Sequence, residues 1–154
     1  MDRESWIALA LFVGGTLAVG LLSGLAAAGA RDTYAQLESP SWAPPGWLFG
    51  PVWSILYVCI GVAGWLVWRE GAGRGPLGLW AAQLLVNVAW TPIFFGLGLR
   101  GWALVDITVL LLLVVATMVT FFRINRAAGW LFAPYLAWVS FATALNAAYW
   151  WLNR

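Results

Sequence analysis

The sequence predicts an all-α fold: five membrane-spanning helices in one bundle, joined by short connections apart from a structured first loop. Three observations predict it. Of the 154 residues 63% are hydrophobic and only 9% charged, where a soluble domain carries about a quarter charged residues. A water-soluble fold of this size leaves too much of its chain exposed to hide that much apolar surface. Five segments reach the length of about 20 mainly apolar residues that a span requires. The breaks between them are polar or glycine-rich, and only the first is long enough to have a shape of its own. The whole chain, 1–154, reads as a single domain.

The first segment covers residues 5–28. Its end, "AAAGA" at 26–30, resembles a signal-peptide cleavage site. However, its apolar run is longer than the usual ~7 to 15 residues, and Asp2, Arg3 and Glu4 give no net positive start, so it is expected to stay as a helix. Gly20 and Gly24 form a GxxxG pair, which lets two backbones approach closely. Use inside the bundle is the expectation, ahead of a dimer seam. The second segment, 47–68, follows "RDTYAQLESPSWAPPG". There Pro40, Pro44 and Pro45 restrict the backbone, and Trp42 and Trp47 supply apolar area for docking, so the loop is expected to act as a lid. Pro45 also suits the first turn of the next helix.

The third segment, 77–97, follows "REGAGRGP" and contains Pro92 in "AWTPIFFG". That proline is expected to bend the helix and leave a carbonyl free near Trp90. The fourth, 102–122, follows "GLR" and Gly101 and holds Asp106, the one acid well inside an apolar stretch. It reads first as a carboxyl near the first turn, favoured by the helix dipole, and second as a ligand or proton contact. The fifth, 129–152, follows "RINRAA".

With five spans, Arg3, Arg69, Arg74, Arg123 and Arg126 share one side, and Arg31, Arg100 and Arg154 the other. The positive-inside rule then places the N-terminus in the cytoplasm. The eight Arg lie at segment ends instead of clustering, which offers no nucleic-acid footprint. The chain has no His and one Cys, Cys59. That composition lacks the ligands of a structural zinc site and the usual haem axial ligand, and it excludes Ser-His-Asp and Cys-His catalysis and any intramolecular disulfide. No metal site is expected.

In hydrocarbon a polar side chain must find a partner or a wet cavity. Gln83, Asn87, Trp90 and Phe94 recur at spacings that put them on one helix face. Trp53 and Tyr57 are one turn apart, and Trp138, Ala142, Leu145, Asn146 and Tyr149 share a stripe. Two readings stand. In one, Gln83, Asn87 and Asn146 bond across helices while the tryptophans form interfacial belts. In the other, the three stripes surround a small-molecule cavity, mostly apolar with a few polar groups. Belts account for Trp6, Trp47, Trp68, Trp102, Trp130, Trp150 and Trp151, which lie near segment ends, and account less well for Trp53, Trp90 and Trp138.

Seven blocks carry a resemblance: "PSWAPPGW" at 40–47, "GPVWSILY" at 50–57, "PLGLW" at 76–80, "QLLVNVAWTPIFFG" at 83–96, "GWALVD" at 101–106, "PYLAW" at 134–138 and "FATALN" at 141–146. In this order and spacing the chain resembles the TspO/MBR translocator proteins, also called peripheral-type benzodiazepine receptors. The resemblance implies a five-helix membrane protein, often a homodimer, that binds tetrapyrroles such as protoporphyrin IX in a cavity under the first loop. The ligand site of that family maps onto Trp53, Asn87, Trp90, Trp102, Trp138, Ala142 and Leu145, with Trp42 in the loop above. Tyr57, Gln83 and Asn146 join this set from the stripes. No conventional catalytic residue is expected; if the family's light-dependent porphyrin breakdown applies, Trp53 and Trp138 are the candidates.

The chain departs from the pattern in two places. Eukaryotic members carry a cholesterol-recognition stretch with an aromatic after the Asn of "ATxLN" and a basic residue four positions later; here these are Ala147 and Trp151. A shifted match through Leu145, Tyr149 and Arg154 meets only the loose pattern, and cholesterol import is not expected. Ser39 stands where a Lys is common. The expected function is therefore tetrapyrrole binding for transport, sensing or disposal, with no resident cofactor. The alternatives are photochemical degradation and a sterol-binding or partner-regulating sensor.

Overall fold

The structure, a computed structural model, describes residues 3–27 and 29–154, without the side chains of residues 30 and 31. Five helices are long and apolar enough to cross a membrane. They are α1 (Arg3–Ala26), α3 (Phe49–Arg69), α4 (Arg74–Thr91), α5 (Arg100–Ile124) and α6 (Arg126–Leu152), with the short α2 (Ala30–Gln36) in the first loop. α4 itself stops six residues short of the expected end at 97, but a π-helical turn carries the span on to Gly96; with it counted, all described ends lie within three residues of the expected ones. α4, α5 and α6 begin at Arg74, Arg100 and Arg126 because hydrogen bonding carries each helix past its apolar run into the polar headgroup zone. Position 28, the expected end of the first span, lies outside the described residues.

Much of the outer surface is apolar: Leu11, Leu21, Leu85 and Leu112 are among the most exposed side chains. Such a surface is stable only against hydrocarbon, so the chain is a multi-pass integral membrane protein. Inside, Ile60, Ala63 and Val67 of α3 meet Val114 and Phe121 of α5 and Phe132, Tyr135 and Val139 of α6 in one buried cluster.

Lipid supplies no hydrophobic drive between helices, so close approach and hydrogen bonds must hold α1 on the bundle. A Cβ on Gly61 of α3 would lie 2.7 Å from the Val13 backbone of α1, and one on Gly64 2.7 Å from the Trp80 ring of α4. Along the same seam the Thr16 hydroxyl donates to the Tyr57 carbonyl at 2.7 Å, and the Trp65 indole N–H to the Ser5 carbonyl at 3.0 Å. Trp80 donates to the Ile60 carbonyl at 2.9 Å, which joins α4 to α3.

Two contacts show which ends share a side. Asn125, between α5 and α6, accepts from the Ala128 N–H as the cap of α6 and donates to Glu70 after α3. At the opposite end Asn153 bonds Glu38 of the first loop. In that loop Gly29 takes the left-handed conformation, φ 91°, between α1 and α2, as a residue without Cβ readily does. Pro45 leads into a 3-10 turn, Gly46–Leu48, that runs straight into α3.

Pro92 has the expected effect in a particular form. It offers no N–H to the carbonyl four residues earlier. The helix widens into a π-helical turn, Pro92–Gly96, in which the Leu97 N–H bonds the Pro92 carbonyl at 2.9 Å. The widened turn carries Phe94 under Trp90, their rings stacked at 4.9 Å.

Candidate functional site

Beneath the first loop the five spans enclose a cavity of about 880 Å³. Its size falls in the range of small-molecule sites, about 300 to 1,000 Å³. Trp53, Tyr57, Asn87, Trp90, Trp138, Ala142, Leu145 and Asn146 of the expected set all line it. Three stripes of period 3.6 thus converge as the helix faces required.

Three expected residues lie elsewhere. Gln83, one turn from Asn87, is fully buried behind the wall, where it bonds Tyr135 and the Trp80 carbonyl. Trp102 is 68% exposed on the outside of α5. Trp42 is half exposed and packs edge-on against Phe141 at 5.8 Å. The side chains of the first loop and its junction with α3 that line the cavity are instead Tyr34, Ala35, Trp47 and Phe49.

Residues outside the expected set line the cavity too. Phe94 and Tyr149 stand on the stripes read from the sequence, though not in the expected ligand site. Leu17, Gly20 and Gly24 of α1 and Ile107 and Leu110 of α5 carry no such signal, since both helices are apolar on every face.

A one-way chain of hydrogen bonds runs from the cavity wall into the bundle. Tyr57 Oη donates to Asn87 Oδ1 at 2.6 Å, Asn87 Nδ2 donates to Tyr135 Oη at 2.9 Å, and Tyr135 Oη donates to Gln83 Oε1 at 2.8 Å. Gln83 Nε2 closes it on the Trp80 carbonyl at 2.9 Å. Each hydroxyl spends its single proton inside the chain. A second chain ties Trp90 Nε1 to Asn146 Oδ1 and Asn146 Nδ2 to the Arg100 carbonyl. Asn87 and Asn146 thus bond across helices and line the cavity at once, so the two sequence readings meet in them, whereas Gln83 bonds across helices only.

One buried N–H donor of the lining is left over, along with the Ser23 and Tyr34 hydroxyls. Trp138 Nε1 is buried and has no hydrogen-bond partner among the described residues. Around it the wall is aromatic: Phe49 meets the Trp138 ring at 5.6 Å, and Tyr34 meets Phe49 at 6.0 Å and Tyr149 at 5.1 Å. Burial, and the Tyr149 hydroxyl beside it, push the Tyr34 phenol well above its ordinary range, so it stays neutral. Trp53 lies over Tyr57 at 5.5 Å.

Asp106 stands on the second turn of α5, further in than the expected first turn, because the helix starts at Arg100; its buried Oδ2 has no hydrogen-bond partner among the described residues. It is absent from the cavity lining. Of the loose sterol pattern, Leu145 and Tyr149 point inward and are buried, while the Arg154 guanidinium covers the Trp151 ring at 3.4 Å. Ser39, in the position where the resembling family often has Lys, accepts from the Tyr149 hydroxyl at 3.1 Å. Among the described residues, no three His, Cys, Asp or Glu come together.

The sequence model of the TspO/MBR family matches residues 12–152. The translocator protein of Homo sapiens is 46% identical over 122 residues, 76% of this chain and 72% of that protein. The tryptophan-rich protein TspO of Chlorobaculum tepidum is 41% identical over 145 residues, 91% of this chain and 92% of its own. The tryptophan-rich sensory protein of Cereibacter sphaeroides is 43% identical over 116 residues, 75% and 73% of the two chains.

Proposed function

The chain belongs to the TspO/MBR family, and from that premise we propose that it binds a tetrapyrrole such as protoporphyrin IX in the cavity under the first loop, for transport, sensing or disposal. The observation that carries the reading is Trp138: a buried indole N–H with no partner among the described residues, set in an aromatic wall. An orphaned buried donor costs free energy unless an acceptor arrives. A flat macrocycle stacks on the rings and brings pyrrolenine nitrogens or carboxylate oxygens to that donor.

Titration of protoporphyrin IX against tryptophan fluorescence, in wild type and Trp138→Phe, tests it. One hydrogen bond is worth about 0.5–1.5 kcal/mol, so affinity should fall roughly three- to tenfold. Equal affinities would remove Trp138 from the site, and absence of saturable quenching in wild type would remove the tetrapyrrole.

The family reading also includes a homodimer and, with five Arg against three, an N-terminus in the cytoplasm that puts the first loop outside. Crosslinking in lipid and protease protection of the loop test these. A photochemical reading has one observation in its favour: Trp53 and Trp138 both line the cavity, as the most oxidisable side chains a bound, excited porphyrin could meet. Illumination should then yield an absorbing product that porphyrin alone does not give; identical spectra would end that reading.

A further inference from the structure

The roof and the side of the cavity are built differently. At the roof, Asn153 Oδ1 accepts from the Glu38 N–H at 2.9 Å while Asn153 Nδ2 donates to the Glu38 carbonyl at 3.0 Å. The Tyr149–Ser39 bond adds a third tie, and the Tyr34–Tyr149, Tyr34–Phe49 and Phe49–Trp138 ring pairs lie over the space. Lifting the loop breaks all of these together.

At the side, α1 and α3 touch and then part. A Cβ on Gly20 of α1 would fall 2.5 Å from the Tyr57 ring of α3, whereas one turn further along, a Cβ on Gly24 would meet nothing within 4 Å. Gly50, two turns from Tyr57 towards the same end, is equally free. Exposure follows this parting. No lining residue of α4, α5 or α6 is exposed; every exposed one lies on α1 (Leu17, Leu21, Gly24), at Ala35, or within 46–54 (Gly46, Trp47, Gly50, Ser54). Leu17, Leu21, Gly24, Gly50 and Ser54 belong to membrane-spanning stretches, so a gap between them leads to hydrocarbon. Among the described residues it carries no charged side chain, and the Ser54 hydroxyl is taken up by the Gly50 carbonyl at 2.9 Å.

We infer that ligand reaches and leaves the cavity sideways, from the bilayer interior, through the wedge between α1 and α3, whose width Gly24 and Gly50 set. The inference rests on the tetrapyrrole reading only for what passes. A wedge between two helices admits a flat, lipid-dissolved molecule edge first, and its uncharged rim asks the ligand to shed no strongly held polar contact on the way.

The test uses full-length protein in lipid nanodiscs with protoporphyrin IX dissolved in the lipid, read by stopped-flow fluorescence. Gly24→Phe with Gly50→Phe should slow both capture and release about tenfold, whereas Asn153→Ala, which unties the roof, should leave both within about twofold. A narrowed doorway slows release; a damaged cavity hastens it. Unchanged rates in the glycine variants, or faster rates in Asn153→Ala, would overturn the route. A second probe needs no tetrapyrrole: Ala142→Cys in a Cys59→Ala chain, labelled by a bilayer-dissolved pyrene maleimide, should react at least about fivefold more slowly when Gly24→Phe is added. Equal labelling overturns the route whatever protoporphyrin does, and gated labelling without protoporphyrin binding overturns only the tetrapyrrole reading.

Discussion

Gly20 of α1 lies flat against the ring of Tyr57 of α3, so close that a single added carbon would sit 2.5 Å from the ring. The ring cannot swing away without breaking the 2.6 Å bond from its hydroxyl to Asn87. Gly20→Ala is therefore expected to destabilise the bundle by about 1–3 kcal/mol, the cost of overpacking a filled site. Gly24→Ala, facing open space, should be neutral or stabilising by up to about 1 kcal/mol through helix propensity alone. Thermal unfolding in detergent separates the two; equal shifts would mean that Gly20 and Tyr57 do not meet.

Asn87 satisfies two tyrosines at once, accepting from Tyr57 and donating to Tyr135. Asn87→Leu strands the Tyr57 hydroxyl in a buried site, at about 1–3 kcal/mol, while the Tyr135 hydroxyl keeps its bond to Gln83. In a Tyr57→Phe background the stranded hydroxyl is already gone, and the same substitution should cost measurably less. Additive losses in this double-mutant cycle would count against the chain.

Trp90 and Trp138 make a controlled comparison, since both line the cavity but only Trp90 spends its N–H, on Asn146. Trp90→Phe should cost the empty protein about 1–3 kcal/mol by leaving the Asn146 carbonyl unpaired. Trp138→Phe breaks no hydrogen bond and should stay under about 1 kcal/mol, while weakening ligand binding. A larger stability loss from Trp138→Phe would show that its N–H is occupied in the empty protein.

Asn153 holds the first loop through both polar groups of its amide. Asn153→Ala should raise amide exchange at Glu38 by about tenfold or more, with little change in the middle of α3 or α6, because local opening needs less free energy than global unfolding. Unchanged exchange at Glu38 would mean that the loop is held by its aromatic contacts alone.

Much of the cavity was legible before any coordinates. The period of 3.6 residues puts Asn87, Trp90 and Phe94 on one face of their helix wherever that helix sits, and likewise Trp138, Leu145 and Asn146. What periodicity cannot give is depth along the face. Gln83 shares the stripe of Asn87, yet lies behind the wall because the Tyr135 hydroxyl stands between α4 and α6 at that level. Trp42 and Trp102, drawn in by resemblance, turn outward, one onto Phe141 and the other into the surroundings of α5.

By itself the sequence determined the number, order and length of the spans and the three aromatic and amide faces, since run length and periodicity are properties of a line of residues. The tertiary structure alone decided that α1 supplies a wall, that Tyr34 and Phe49 take the place expected of Trp42, and that of two identical-looking glycines Gly20 is clamped and Gly24 is free. The reason lies in the solvent: in a bilayer the outside of the protein is as apolar as its inside, so hydropathy no longer marks which face is buried. Only the crossing of α1 over α3 does.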